Sequence, residues 1–154
     1  MLGVLFMDNQ NKKGTAVVAA FKIVFPLLLP ILVPSLLMIV LKQWMPDEIV
    51  YPGIMSLVTL CIWFFVIGIL FTLILNMCKL SEAKLKELGF LGITISTVAS
   101  FLTMYVGYFW LADLNVTSVQ MSPNGILIVA GISAIVLEVL FRFMDDDAEE
   151  EKEL

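Results

Sequence analysis

The sequence predicts an all-α integral membrane protein. It has four transmembrane helices, both termini on the cytoplasmic side, and a short interfacial helix between spans two and three. Three observations lead there. The 154-residue chain is 60% hydrophobic, with a mean hydropathy of +1.01. Only 15% of it is charged, against about 25% in soluble domains. Most of the charges are segregated into residues 1–14, 78–87 and 142–154, and apolar runs long enough to cross a bilayer lie between these segments.

Residues 1–14 form an N-terminal cytoplasmic or interfacial segment. MLGVLFMDNQNKK puts an apolar patch ahead of the charges, the reverse of a cleavable signal peptide. Leu2, Val4, Leu5 and Phe6 are expected against the membrane surface or a neighbouring subunit. The transmembrane domain, 15–143, follows. Span one, 15–41, carries Pro26, Pro30 and Pro34 four residues apart, which places them on nearly one helical face. Each proline removes a backbone donor and crowds the preceding turn. The carbonyls of Lys22, Pro26 and Pro30 therefore lose their helical partners and need others within the bilayer. The sequence thus predicts a kinked helix whose proline face turns inward to protein, and a bend also fits an overlong span into the membrane.

Span two is read as 50–77, followed by the loop CKLSEAKLKELGF. Ser81 is placed to cap a short interfacial helix, with Glu82 in its first turn and Lys84 and Lys86 further along. Such a loop can dock a partner or anionic lipid; an ordinary positively charged connector is the simpler reading. Span three, 88–112, differs from the others. Gly89, Gly92, Ser96, Ser100, Thr103 and Gly107 follow spacings of 3, 4, 4, 3 and 4, a stripe of small residues down one face. Such stripes let helix backbones approach closely, with hydroxyls bonding across. Packing of this stripe on span four or on another chain is the expectation, and a polar pore lining is the sharper alternative.

The loop DLNVTSVQMSPNG is read as polar, with Ser-Pro-Asn-Gly forming its final turn. Asn115-Val116-Thr117 makes Asn115 a candidate glycosylation site. Span four, 125–143, sets Ala130, Ala134, Glu138 and Arg142 on one face, opposite the stripe. Residues 144–154, ending DDDAEEEKEL, carry no apolar periodicity and are expected to be disordered. This tail accounts for the net charge of −5, so nucleic acid is not an expected partner.

Orientation follows from the cations. Lys12, Lys13, Lys79, Lys84, Lys86, Arg142 and Lys152 fall on one side and Lys42 on the other, so the positive-inside rule puts both termini in the cytoplasm. Trp44, Tyr51, Tyr105, Tyr108 and Trp110 are expected in the aromatic belt of the opposite interface.

Few residues carry chemistry. There is no His, which removes the commonest general base and most zinc and haem ligation. Cys61 and Cys78 are too few and too badly spaced for a metal knuckle. Met45, Met55, Met104 and Met121 offer thioethers near Asp47, Glu48 and Asp113, a weak case for copper(I). Lys22, Glu138 and Arg142 are the ionisable groups within spans. They are read as an intramembrane ion pair, with proton or ion handling as the sharper version. No nucleophile motif or phosphate loop is present. The expectation is a non-catalytic accessory subunit of a larger membrane complex, with bound lipids, other membrane subunits as partners and no cofactor or metal. A small homo-oligomeric transporter or channel, and an assembly factor recruiting partners by its acidic tail, are the alternatives.

Overall fold

The computed structural model describes the backbone of residues 2–153 and the side chains of residues 14–146. The side chains of Leu2, Val4, Leu5 and Phe6, and those of the last acidic residues, lie outside the described ones. The order is α1 (Leu2–Trp44), β1 (Ile49–Val50), α2 (Ile54–Met77), α3 (Glu82–Glu87), α4 (Phe90–Asp113), β2 (Gln120–Met121) and α5 (Pro123–Glu153). Four of these helices are long and apolar enough to cross a membrane: Gly14–Trp44, Ile54–Met77, Phe90–Asp113 and Pro123–Asp146. The protein is an all-α, integral, multi-pass membrane protein.

The spans form an up-down bundle in which α1 packs on α2 and α5, and α4 packs on α2 and α5. One end of the bundle carries the β1–β2 pair and is called here the hairpin end. The other carries α3 and both chain termini, and is the terminal end. The core cluster gathers at the hairpin end and mid-bundle, where Met38, Leu57, Leu60, Cys61, Ile126, Val129 and Ala130 are buried. Cys61 is one of these packed hydrophobes.

The three prolines leave α1 helical throughout its 43 residues. Their face does turn inward as it climbs: Pro26 and Pro30 are half-buried and Pro34 is buried, while Leu27 and Leu28 remain exposed. Ser35 also sits on the buried side and donates its hydroxyl to the Ile31 carbonyl at 2.6 Å. The helix begins at Leu2, so residues 2–14 continue into span one without a break in the backbone.

Several expectations are corrected. Span two starts at Ile54, because Ile49 and Val50 are drawn into β1, antiparallel to β2 with Ile49 opposite Met121 and Val50 opposite Gln120. Ser122-Pro123-Asn124-Gly125 is a helix start instead of a turn. Ser122 accepts the Gly125 N–H on its hydroxyl at 3.0 Å, and Pro123 occupies the first helical position, where its missing donor costs nothing. The acidic tail is not irregular: α5 continues to Glu153. The segment holds no Gly or Pro, and its Ala, Glu and Lys are strong helix formers, so a helix already nucleated in the bundle propagates through it. Tyr108 is not a belt residue. Trp44 is 81% exposed and Trp110 is exposed, but Tyr108 is 4% exposed and sits inside the hairpin end.

Candidate functional site

The hairpin end is closed by polar stitching. Tyr108, on α4, receives the Met121 N–H on its phenol oxygen at 2.6 Å, and its own hydroxyl faces the Val119 and Met121 carbonyls at 3.3 Å. Glu48 accepts the Ser122 N–H on its backbone carbonyl at 3.0 Å and the Ser122 hydroxyl on its carboxylate. The approach is tight: a Cβ at Gly125 would stand 2.7 Å from the Glu48 carbonyl oxygen. Lys42 lies 3.9 Å above the Tyr51 ring, a cation–π contact that anchors the end of α1. Every group in this network is matched to another, so this end reads as a seal.

Asn115 belongs to the same end. It has a φ of 55°, and it follows the last turn of α4. Its N–H bonds the Ala112 carbonyl and that of Val116 bonds the Leu111 carbonyl, each at 3.0 Å. This is a Schellman ending with Asn at the left-handed position. The residue read as a glycosylation candidate therefore has a structural task as well, while its side chain stays exposed.

The terminal end is different. The first half of α1 leaves the bundle, with every residue from Gly14 to Phe25 exposed. Between α1, α2, α4 and α5 there remains a groove of about 520 Å³, lined by Leu27 and Pro30 of α1, aromatic and aliphatic side chains of α2, and Leu137 and Phe141 of α5. A second, charged cavity of about 470 Å³ lies beside α3, lined by Glu82, Lys86, Arg142, Asp145 and Asp146. Ser96, Glu138, Leu85, Glu82 and Phe141 belong to both walls, so the two spaces adjoin.

Glu138 stands at that junction. Ser96 donates its hydroxyl to one carboxylate oxygen at 2.8 Å, and Arg142 donates its Nε to the other at 3.0 Å. The Glu138 side chain is 16% exposed and that of Arg142 46%. Taking a carboxylate this far from water is costly unless a cation and a donor accompany it, and both are present. Of the two cations the sequence offered Glu138, Arg142 is the one seated on it, one turn along the same helix. Lys22 lies on the exposed part of α1. Lys86 reaches Asp145 at 2.8 Å and ties α3 to α5.

The stripe of α4 serves several neighbours instead of forming one seam against α5. Gly89 ends the α3–α4 turn with a φ of 55° and ψ of −120°, a conformation open to glycine. Gly92 meets α3: a Cβ there would fall 1.7 Å from the Leu85 carbonyl oxygen. Gly107 meets α2, where a Cβ would stand 3.2 Å from Ile67 Cδ1. Ser96, Ser100 and Thr103 line the groove, and Ser96 alone among the described serine and threonine hydroxyls of α4 bonds across to another helix. Thr94, Thr97 and Thr103 return theirs to the carbonyl four residues back. Back-bonding of this kind satisfies a hydroxyl in lipid with no partner helix, so Thr94, Thr97 and Thr103 need no cross-helix bond. Ala130 and Ala134 are buried in α5.

The seal and the junction hold residues that sequence reasoning missed. Tyr108 was read as a belt aromatic, Ser122 as part of a turn and Glu48 as a neighbour of the methionines, and none of these readings anticipated the seal. Glu82 was read as the first-turn acid of the interfacial helix and Asp146 as part of the acidic tail, and only the packing of α3 and α5 against α4 sets them around a cavity. Met104 and Met121 are buried in the core while Met55 is exposed. Ser133 is fully buried, with no hydrogen-bond partner for its hydroxyl. No protein-family model matches the chain, and neither a curated protein nor a solved structure is significantly similar to it.

Proposed function

We propose that this chain is a non-catalytic accessory subunit of a larger multi-subunit membrane complex, of the respiratory, oxidase or monooxygenase kind by analogy. It sits in the plasma membrane with both termini in the cytoplasm and α3 at the inner interface, as the distribution of Lys and Arg favours. The observation that carries the reading is the first half of α1. Gly14–Trp44 would span about 46 Å at 1.5 Å per residue, against a hydrocarbon core of about 30 Å. Its lower part makes little use of the chain's own bundle, yet it holds bulky side chains: Val17 and Phe21 are exposed, and Phe21 stacks on Phe25 with centroids 5.3 Å apart. A helix that projects past its own bundle with an aromatic pair on display is suited to packing against a neighbouring subunit.

Native purification with mass spectrometry tests this. Stable co-purification with dissimilar membrane proteins is expected, and Phe21→Ala with Phe25→Ala should release them while the chain stays folded. A pure homo-oligomer that conducts ions in liposomes would overturn it in favour of a second reading, a small channel or transporter. One observation favours that alternative: Ser96, Ser100, Thr103 and Glu138 line a space among the four spans.

A further inference from the structure

The adjoining cavities at the terminal end differ in chemistry, and the difference runs along one axis. The groove among the spans is walled by Phe64, Phe65, Phe71 and Leu137, with the α4 hydroxyls on one side. The cavity beside α3 is walled by ionised groups: carboxylates from Glu82, Glu138, Asp145 and Asp146, and cations from Lys86 and Arg142. Two of the four carboxylates are matched, Glu138 by Arg142 and Asp145 by Lys86. With four carboxylates against two cations, the described lining residues carry a net charge of −2. Both spaces fall within the range of about 300–1,000 Å³ typical of ligand sites.

We infer that the two cavities together hold one amphiphile, its apolar tail in the groove and an amine-bearing head in the charged cavity. The charge excess selects the head. A protonated amine donates charge-assisted hydrogen bonds to carboxylates such as Glu82 and Asp146, whereas a head of net negative charge is repelled by the acidic excess. Glu138 and Ser96, bonded to each other at the junction, mark the boundary between head and tail. The tail fills space that α1 leaves open when it departs from the bundle, which is why packing residues are scarce there. This inference does not depend on the accessory-subunit reading, since it concerns the interior of one chain.

The same head chemistry is offered by an aminophospholipid from the bilayer and by a single-chain amine, and the experiment separates them. The full chain is reconstituted in phosphatidylcholine nanodiscs doped with either phosphatidylethanolamine or phosphatidylglycerol, and retained lipid is read by native mass spectrometry after extraction. Retention of phosphatidylethanolamine about tenfold above phosphatidylglycerol is expected. E82Q with D146N should bring the two lipids to near parity. S100W, which fills the groove, should abolish retention of both; A99L serves if the larger substitution prevents folding. Displacement of the retained lipid by dodecylamine assigns the site to an amine and one tail, and failure to displace assigns it to the whole aminophospholipid. Equal retention of both lipids by the unaltered chain would overturn the inference. So would indifference of retention to filling the groove, or cross-linking of a cysteine at position 100 to a second polypeptide.

Discussion

The two ends of this bundle solve the same problem differently. At the hairpin end four helices and two loops converge, and polar side chains stitch them together: Tyr108 holds β2, Ser122 caps α5, and Glu48 holds Ser122. At the terminal end the helices part. The Glu138–Arg142–Ser96 cluster is satisfied, but it borders open space on two sides. The lesson concerns what lipid permits. Lipid tails are as apolar as Leu, so a membrane bundle gains little by excluding lipid from a helix face, and it closes only where backbone groups or van der Waals packing demand it. Loops demand closure, because an irregular backbone exposes donors and acceptors. Continuous helices do not.

If that contrast is right, truncations in the two halves should differ most. Leu57→Ala and Met38→Ala, both fully buried at the hairpin half, should each cost about 2 kcal/mol or more, chiefly through the cavity term. Leu27→Ala and Phe71→Ala, which border space already open, should cost clearly less. Reversible unfolding in mixed micelles, followed by circular dichroism, measures both sets. Equal losses in the two halves would mean that the groove is filled by something as tightly packed as the core.

Next in size is the α3–α4 turn. Gly92→Ala forces a Cβ into the Leu85 carbonyl, and backbone cannot yield as a flexible side chain does, so about 1–3 kcal/mol is expected. The loss should be local. Hydrogen exchange should quicken across α3 and the first turns of α4 while the hairpin end stays protected. Uniform deprotection would show that the two ends are coupled more strongly than their separate packing implies.

How much of this was legible beforehand follows from the range over which each signal acts. The four spans were readable because hydropathy integrates over some twenty residues, and the segregation of Lys and Arg needs no contact. Glu138 with Arg142 was readable because both lie on one helix, four apart. Ser96 was noticed only as a small residue; that its hydroxyl would find Glu138 depends on how α4 and α5 are set against each other. The β1–β2 pair was invisible, since two residues cannot establish a period. Ser-Pro-Asn-Gly was ambiguous for a physical reason: the residues that suit a turn also suit a helix start, and which occurs is decided by whether a helix is docked beyond them. The acidic tail misled in the opposite sense, because charge argues for solvation, and a solvated segment can remain helical when it is continuous with a packed helix.

Within the seal, Tyr108→Phe should cost about 1–3 kcal/mol, since it leaves the Met121 N–H without its acceptor in a buried place. Ser122→Ala should cost about 1 kcal/mol for the lost cap. Measured together, the pair tests whether the seal is one network: the double variant should differ from the sum of the singles, because both side chains hold the same stretch of loop.

The smallest effect gives the most direct comparison of the two ends. Helix α2 finishes at the terminal end as α4 finishes at the hairpin end: Lys79, with a φ of 62°, has its N–H on Asn76, and Leu80 has its N–H on Leu75, both at 3.0 Å. The two helices thus share one ending but not one residue at its left-handed position. Asn accepts that conformation readily, because its short polar side chain bonds locally; Lys pays the steric cost of its Cβ. Lys79→Gly removes that cost and should stabilise the protein by about 0.5–1 kcal/mol, net of the extra freedom glycine has when unfolded. Asn115→Gly should change stability by only a few tenths, since it exchanges one tolerated residue for another. Thermal midpoints of the two variants in the same detergent decide the matter. A gain at Lys79 alone means that strain, like open space, is concentrated at the terminal end, whereas equal responses would place the difference between the ends in their packing and leave the backbone out of it.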